Sequence, residues 1–125
     1  MKEVILTHSA PRAIGPYSQA VRAGGFIFLS GQIPLDPSTG SLVEGGIDVQ
    51  AERVLLNIKA ILESAGSSLE KVVKTTIYLT DMSDFSEVNM VYERFFPKEP
   101  PARSTVAVAG LPKNAKLEIE VIAVS

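Results

Sequence analysis

The chain has 125 residues, with no cysteine, no tryptophan and one histidine. Disulfides, thiolate metal sites, Fe–S clusters and thiol nucleophiles are excluded, and His8 alone cannot build a histidine-rich metal site within one chain. Against 12 Lys and Arg stand 14 Asp and Glu, a net charge of −2 with the basic residues scattered, which argues against a dedicated nucleic-acid surface or a role on anionic membranes.

An enzyme made from this chain must work with carboxylates, arginine, hydroxyls, backbone groups and water. A mass of 13.4 kDa fits one domain over residues 1–125. No window approaches the roughly 18 apolar residues of a membrane span. Val4-Ile5-Leu6 is far too short for a signal-peptide core, so the cytoplasm is the default expectation.

In chain order, Val4 to Leu6 reads as a first strand. Tyr17 to Arg22 and Phe26 to Ser30 read as a hairpin closed by Gly24-Gly25. Asp36-Pro37-Ser38-Thr39-Gly40 is a turn. Ile47 to Ala65 predicts a helix, since Val54, Leu55, Ile58, Ile61, Leu62 and Ala65 fall on one face, with Asp48 near its start and Gly66 as its stop. Val72 to Leu79 is a β-branched strand. Asp84 to Phe96 predicts a second helix with the stripe Phe85, Val88, Tyr92, Phe95 and Phe96. Asp84 and Glu87 are spaced as an N-cap and its third helical residue, and Pro97, Pro100 and Pro101 end the helix. Arg103 to Ala109 and Lys116 to Val124 are the last strands.

The order β-β-β-α-β-α-β-β defines an α+β chain with a mixed sheet and two helices covering one face. Several strands are nevertheless apolar on both faces. Phe26 and Phe28 point opposite to Ile27 and Leu29. Leu117, Ile119, Val121 and Ala123 share one face, with Ile122 and Val124 on the other beside Glu118 and Glu120. A half-solvated sheet would alternate cleanly, so self-association is the economical expectation.

Few residues can carry chemistry. Arg103, stiffened by Pro100-Pro101, offers a guanidinium fork that matches a small carboxylate; taken alone it also reads as a surface arginine. Glu118 and Glu120 lie on one strand face with Ile122 and Val124. Apolar neighbours raise a carboxyl pKa toward neutrality, although a solvated strand face is the plainer reading. Asn89 borders the second helix's stripe, where it could equally bond loop backbone. Ser30-Gly31 permits close approach to a backbone, and Tyr17 could wall a pocket. No phosphate loop, dinucleotide fingerprint or metal-ligand spacing is present.

Several segments in order resemble one family. They are Ile14-Gly15-Pro16-Tyr17-Ser18-Gln19-Ala20, Ser30-Gly31-Gln32-Ile33-Pro34, Val73-Lys74-Thr75-Thr76-Ile77-Tyr78-Leu79, Asp84-Phe85 through Val88-Asn89 to Tyr92, Pro101-Ala102-Arg103-Ser104, and Leu111-Pro112-Lys113 running to Leu117-Glu118-Ile119-Glu120. Together they resemble the reactive intermediate deaminase family, the Rid or YjgF-like proteins. The resemblance implies a chorismate-mutase-like α+β fold and a homotrimer with a central barrel and clefts between subunits. It implies hydrolysis, without cofactor or metal, of enamine and imine intermediates such as 2-aminoacrylate (2-iminopropanoate) and 2-iminobutanoate to 2-oxo acids and ammonia. It assigns carboxylate binding to Arg103 and the water-directing acid to Glu118. Tyr17, supplied across the interface, lines the cleft with Ser30, Gly31 and Asn89, and backbone near Thr105 bonds the substrate. Many relatives carry cysteine where this chain has Thr105, so thiol-dependent behaviour is not expected.

Three other readings start from the same resemblance. A trimer could bind metabolites and regulate a partner without turnover. RNA cleavage is disfavoured by the acidic balance. Chorismate mutase activity rests on fold analogy alone, and its dianionic substrate would find only Arg103 as an anchor.

Overall fold

The computed structural model describes residues 1–125. Its elements are β1 (Glu3–Ile5), β2 (Ala20–Ala23), β3 (Phe26–Gln32), α1 (Ile47–Ser64), β4 (Val72–Leu79), α2 (Phe85–Phe95), β5 (Ala102–Ala107) and β6 (Leu117–Val124). They form one six-stranded sheet in the order β1-β2-β3-β6-β4-β5. All neighbours are antiparallel except β4 and β5, which α2 connects as a parallel crossover.

The helices pack on one face. Ile27 and Leu29 of β3, Ile77 and Leu79 of β4, and Leu117, Ile119, Val121 and Ala123 of β6 are buried there. They meet Val54, Leu55, Ile58, Ile61 and Leu62 of α1 and Val88, Val91 and Tyr92 of α2 in a single cluster. The opposite, open face carries apolar side chains with no cover. Phe26, Phe28 and Val124 remain 42 %, 41 % and 41 % exposed, and the two phenylalanine rings stand 6.5 Å apart. The two-sided apolar pattern of the strands is therefore real: one side makes the core, the other a surface patch.

Local differences from the sequence reading have identifiable causes. The first hairpin strand begins at Ala20, not Tyr17, because Gln19 is buried and spends its amide on the preceding loop. Its Oε1 accepts from Thr7 N at 2.7 Å, and its Nε2 donates to Thr7 O at 3.0 Å and Pro11 O at 2.8 Å. Asp84 does not cap α2. It adopts helical geometry itself, and Asp81 accepts from Ser83 N at 2.9 Å to cap a 3-10 turn, Met82–Asp84, that runs into the helix. That bond, with the Ser83 side chain, holds the Asp81 carboxyl below its ordinary value. In β5 the strand closes at Ala107, two residues earlier than the apolar run suggests.

Gly66 ends α1 as predicted. Its φ of +79° lets Gly66 N donate to Glu63 O at 3.1 Å and Ser67 N donate to Leu62 O at 2.9 Å, the paired bonds of a Schellman stop. Nothing lies within 4 Å of a methyl group placed there. Gly66→Ala therefore suffers only the left-handed backbone cost, an expected loss of about 1 kcal/mol in urea unfolding, while Gly66→Asn loses less.

Candidate functional site

The sheet register divides the predicted site residues between its two faces. Arg103 pairs with Thr75, whose buried hydroxyl lies 2.8 Å from Tyr92 Oη on α2, so both strand residues face the helices. Arg103 is exposed at the edge of that face. Its Nη1 donates to Asn89 Oδ1 at 2.8 Å, and its guanidinium carbon sits 4.8 Å from the Tyr92 ring centre and 5.4 Å from that of Phe85. Two aromatic faces and one amide thus orient the fork, and neither ion pair of the chain, Arg22–Glu3 or Arg94–Glu52, involves it. Asn89 therefore accepts from an arginine and does not bond loop backbone. Thr105, two residues on, has its Oγ1 buried with no partner, so its side chain packs inward.

Glu118 pairs with Tyr78 on the open face, together with Glu120. Between Leu29↔Val121 and Gln32↔Ile119 the β3–β6 register shifts, so Ser30 and Gly31 together oppose Glu120. This is a β-bulge, a device that re-aims side chains at sites. Gly31 leaves the space that the Glu118 side chain fills: a methyl group there would stand 2.7 Å from Cδ and closer still to Oε2. Burial first, and the Glu120 charge second, push the Glu118 carboxyl above the ordinary glutamate value. Ser30 ties the bulge to the loop before β2, donating from Oγ to Ser18 O at 2.6 Å and from N to Gln19 O at 2.9 Å. Tyr17, half exposed on that loop, borders a shallow cavity of about 620 Å³ with Gly15, Pro16, Phe28 and Ser30.

The seven predicted residues therefore form two clusters. Arg103, Asn89 and Thr105 belong to the β5–α2 edge; Glu118, Gly31, Ser30 and Tyr17 belong to the β3–β6 side. One chain does not bring the arginine and the glutamate onto a common face. Four contributors were not singled out from sequence. Phe85 and Tyr92 read as core stripe, yet they floor the guanidinium. Gln19 is the polar anchor of the Tyr17 loop. Tyr78 donates its hydroxyl to Glu120. A two-residue period places Tyr78 on one face of β4, but only the register shows which glutamate it meets.

The fold and these clusters define a class: a small α+β chain with an arginine half-site and a carboxyl half-site on opposite faces of one sheet. The family model described as Endoribonuclease L-PSP matches residues 7–125, and the chain belongs to this family, the Rid/YjgF proteins. It is 52% identical to Reactive Intermediate Deaminase A, chloroplastic, of Arabidopsis thaliana, over 98% of this chain and 65% of that protein. The crystal structure of a putative endoribonuclease from Thermotoga maritima is similar at a TM-score of 0.97 and 58% identity, covering 100% of this chain and 98% of that one. The structure of E. coli TdcF with bound serine is similar at a TM-score of 0.94 and 47% identity, covering 98% of each chain.

Gly31 has ordinary backbone angles, so alanine is tolerated by the main chain but not by the Glu118 carboxyl. In Gly31→Ala the carboxylate is expected to swing into solvent. Its pKa, followed by NMR with carbon-labelled glutamate, falls toward the ordinary value while the unfolding midpoint shifts little.

Proposed function

We propose that the protein hydrolyses small 2-imino acids and their enamine tautomers, 2-aminoacrylate (2-iminopropanoate) and 2-iminobutanoate, to 2-oxo acids and ammonia, at sites shared between copies of a homotrimer. The observation that carries this reading is the division of the site. An arginine presented on aromatic rings and a partly desolvated glutamate lie on opposite faces of one sheet, beside an uncovered apolar patch. Packing open faces against one another would bury Phe26, Phe28 and Val124. It would also carry the Glu118 cluster of one copy toward the Arg103 edge of the next. Kinship with a reactive intermediate deaminase and with a protein that binds serine supports a ligand of this size bearing a carboxylate.

The chemistry follows from the residues. Arg103 takes the substrate carboxylate with its remaining N–H donors, one being held by Asn89, and so fixes C2. Tyr17, Ser30, Gly31 and backbone near Thr105 line the cleft. Water adds to C2 of the imine as Glu118 accepts its proton. That proton passes to nitrogen to give a tetrahedral C2 bearing hydroxyl and amino groups. The hydroxyl proton then follows it to nitrogen through Glu118, and the C2–N bond breaks with its electron pair on nitrogen as the C2=O bond forms, releasing ammonia and the 2-oxo acid. A carboxyl with a raised pKa suits both halves of this transfer, and no step needs a cofactor. The family's description names RNA cleavage, but a chain of net charge −2 with scattered basic residues lacks the cationic track that RNA binding requires.

Sedimentation is expected to give three times the 13.4 kDa chain mass. Arg103→Ala should lower kcat/KM for 2-iminobutanoate, generated by a coupled threonine dehydratase, by roughly two orders of magnitude with the trimer intact. Saturable serine binding with no acceleration of imine loss by the unaltered protein would instead identify a metabolite-binding regulator.

Two further outcomes are expected. Since Glu118 must be ionised to accept the proton, and its pKa is raised, the acid limb of kcat should lie above the ordinary glutamate value of 4.5 and rise toward neutral pH. Mixing inactive Arg103→Ala and Glu118→Gln chains, unfolded and refolded together, rebuilds one intact site in each mixed trimer. Activity should return to about a quarter of the unaltered level by random reassortment. No recovery would mean that both residues act within one copy.

A further inference from the structure

Four ionisable side chains of β4 and β6, Lys74, Tyr78, Glu118 and Glu120, face the Glu118 side of the sheet, and one hydrogen bond couples two of them. Tyr78 and Glu118 are direct cross-strand partners, while Tyr78 reaches diagonally past Glu118 to donate its hydroxyl to Glu120 Oε1. Glu120 is register partner to Thr76 on β4 and sits opposite the Ser30-Gly31 bulge on β3, neither of which offers an ionised group. Lys74 lies one cross-strand pair further along, against Ile122. The groups facing Glu118 within the chain are thus Glu120 and the Tyr78 phenol.

We propose that Tyr78 is a positioning residue for hydrolysis: by holding Glu120 through its hydroxyl, it leaves Glu118 as the carboxyl that carries the exchangeable proton beside Gly31. This rests on the imine-hydrolase reading for its consequence in catalysis, but not for its structural content. Two carboxyls two residues apart on one strand face would otherwise compete for a single proton. A phenol donating to one of them occupies that carboxyl with a fixed donor and leaves the other free to exchange its proton with water. The hydrogen bond to Glu120 and the two neighbouring negative charges raise the Tyr78 pKa, so the phenol keeps its proton and remains the donor. The fixed Glu120 charge in turn disfavours ionisation of Glu118, and Gly31 gives the protonated carboxyl its place. Arg103 of a second copy, in the proposed trimer, is the cation that would meet this system from outside.

The test uses Tyr78→Phe and Glu120→Gln in the full-length protein. Carbon-detected NMR titration of labelled glutamates, which needs no substrate, should show Glu118 titrating above the ordinary glutamate value in the unaltered protein. In Tyr78→Phe the Glu118 carboxyl should move down by about half a pH unit or more. In Glu120→Gln the Glu118 carboxyl should move down further. The acid limb of kcat for 2-iminobutanoate should shift downward in the same order, with KM unchanged since Arg103 is untouched. A Tyr78→Phe protein that unfolds more easily but keeps the unaltered Glu118 titration and acid limb would reduce Tyr78 to packing and overturn the proposal. A lowered Glu118 titration in Tyr78→Phe, in a protein that hydrolyses no imine, would retain the proton assignment and remove the functional reading beneath it.

Discussion

β6 lies between β3 and β4 and commits its residues alternately to the two sides of the sheet. Leu117, Ile119, Val121 and Ala123 enter the helix-covered core, whereas Glu118, Glu120, Ile122 and Val124 face away. Because the period is two, a slip of one residue would exchange the sets entirely. Two carboxylates would then enter a core of Leu, Ile and Val, where an unpaired ion costs several kcal/mol. The register of this strand is thereby fixed by its own alternation. It then determines what faces what: Tyr78 opposite Glu118, the bulge opposite Glu120, and Arg103, another strand over, on the far side.

In the proposed trimer the same constraint would bind chemistry and association together. A central strand that must place acids outward also places Ile122 and Val124 there, and β3 adds Phe26 and Phe28 to the same surface. That surface is too apolar to suit water, yet it borders the only glutamate held against a glycine. In the proposed trimer, covering it would make a drier neighbourhood for Glu118 and push its carboxyl further in the same direction. A partly desolvated carboxyl and an uncovered apolar surface therefore come from one alternating sequence. The arginine, by contrast, is prepared within the chain. Phe85, Tyr92 and Asn89 orient it on the exposed rim of α2, where a guanidinium stays solvated until a carboxylate displaces water.

Much of this was legible from residues 47–65 and 72–124, where helical spacing in α1 and β-branched alternation in β4 and β6 report burial directly. The two-faced apolar pattern of β3 and β6 also announced the open patch. Legibility failed where a side chain competes with its surroundings. Asp84 carries the spacing of a capping residue, but the chain is already turning there: Asp81 accepts from Ser83 N and starts the 3-10 turn that brings Asp84 itself into helical geometry. Tyr17 to Gln19 alternate like a strand, yet regular pairing starts only at Ala20: Gln19 O accepts from Ser30 N while its side-chain amide staples residues 7–11. For the site, residue type and family resemblance singled out Arg103 and Glu118. That they face apart cannot be read from either position alone. It follows only when the parity of Thr75 against Arg103 is joined to that of Tyr78 against Glu118 across β4.

That parity also bears on how such a site can vary. Residues at 75 and 77 of β4 look toward the arginine half-site, while those at 76 and 78 look toward the carboxyl half-site. One strand therefore touches both functions through independent sets of side chains. A change at Tyr78 reaches the protonation of Glu118 without disturbing the aromatic floor beneath Arg103. A change at Thr75, which is bonded to Tyr92, reaches the guanidinium without touching the acids. In the proposed mechanism, substrate anchoring and proton handling are thus separable within a single eight-residue strand, because the sheet interposes its full thickness between them.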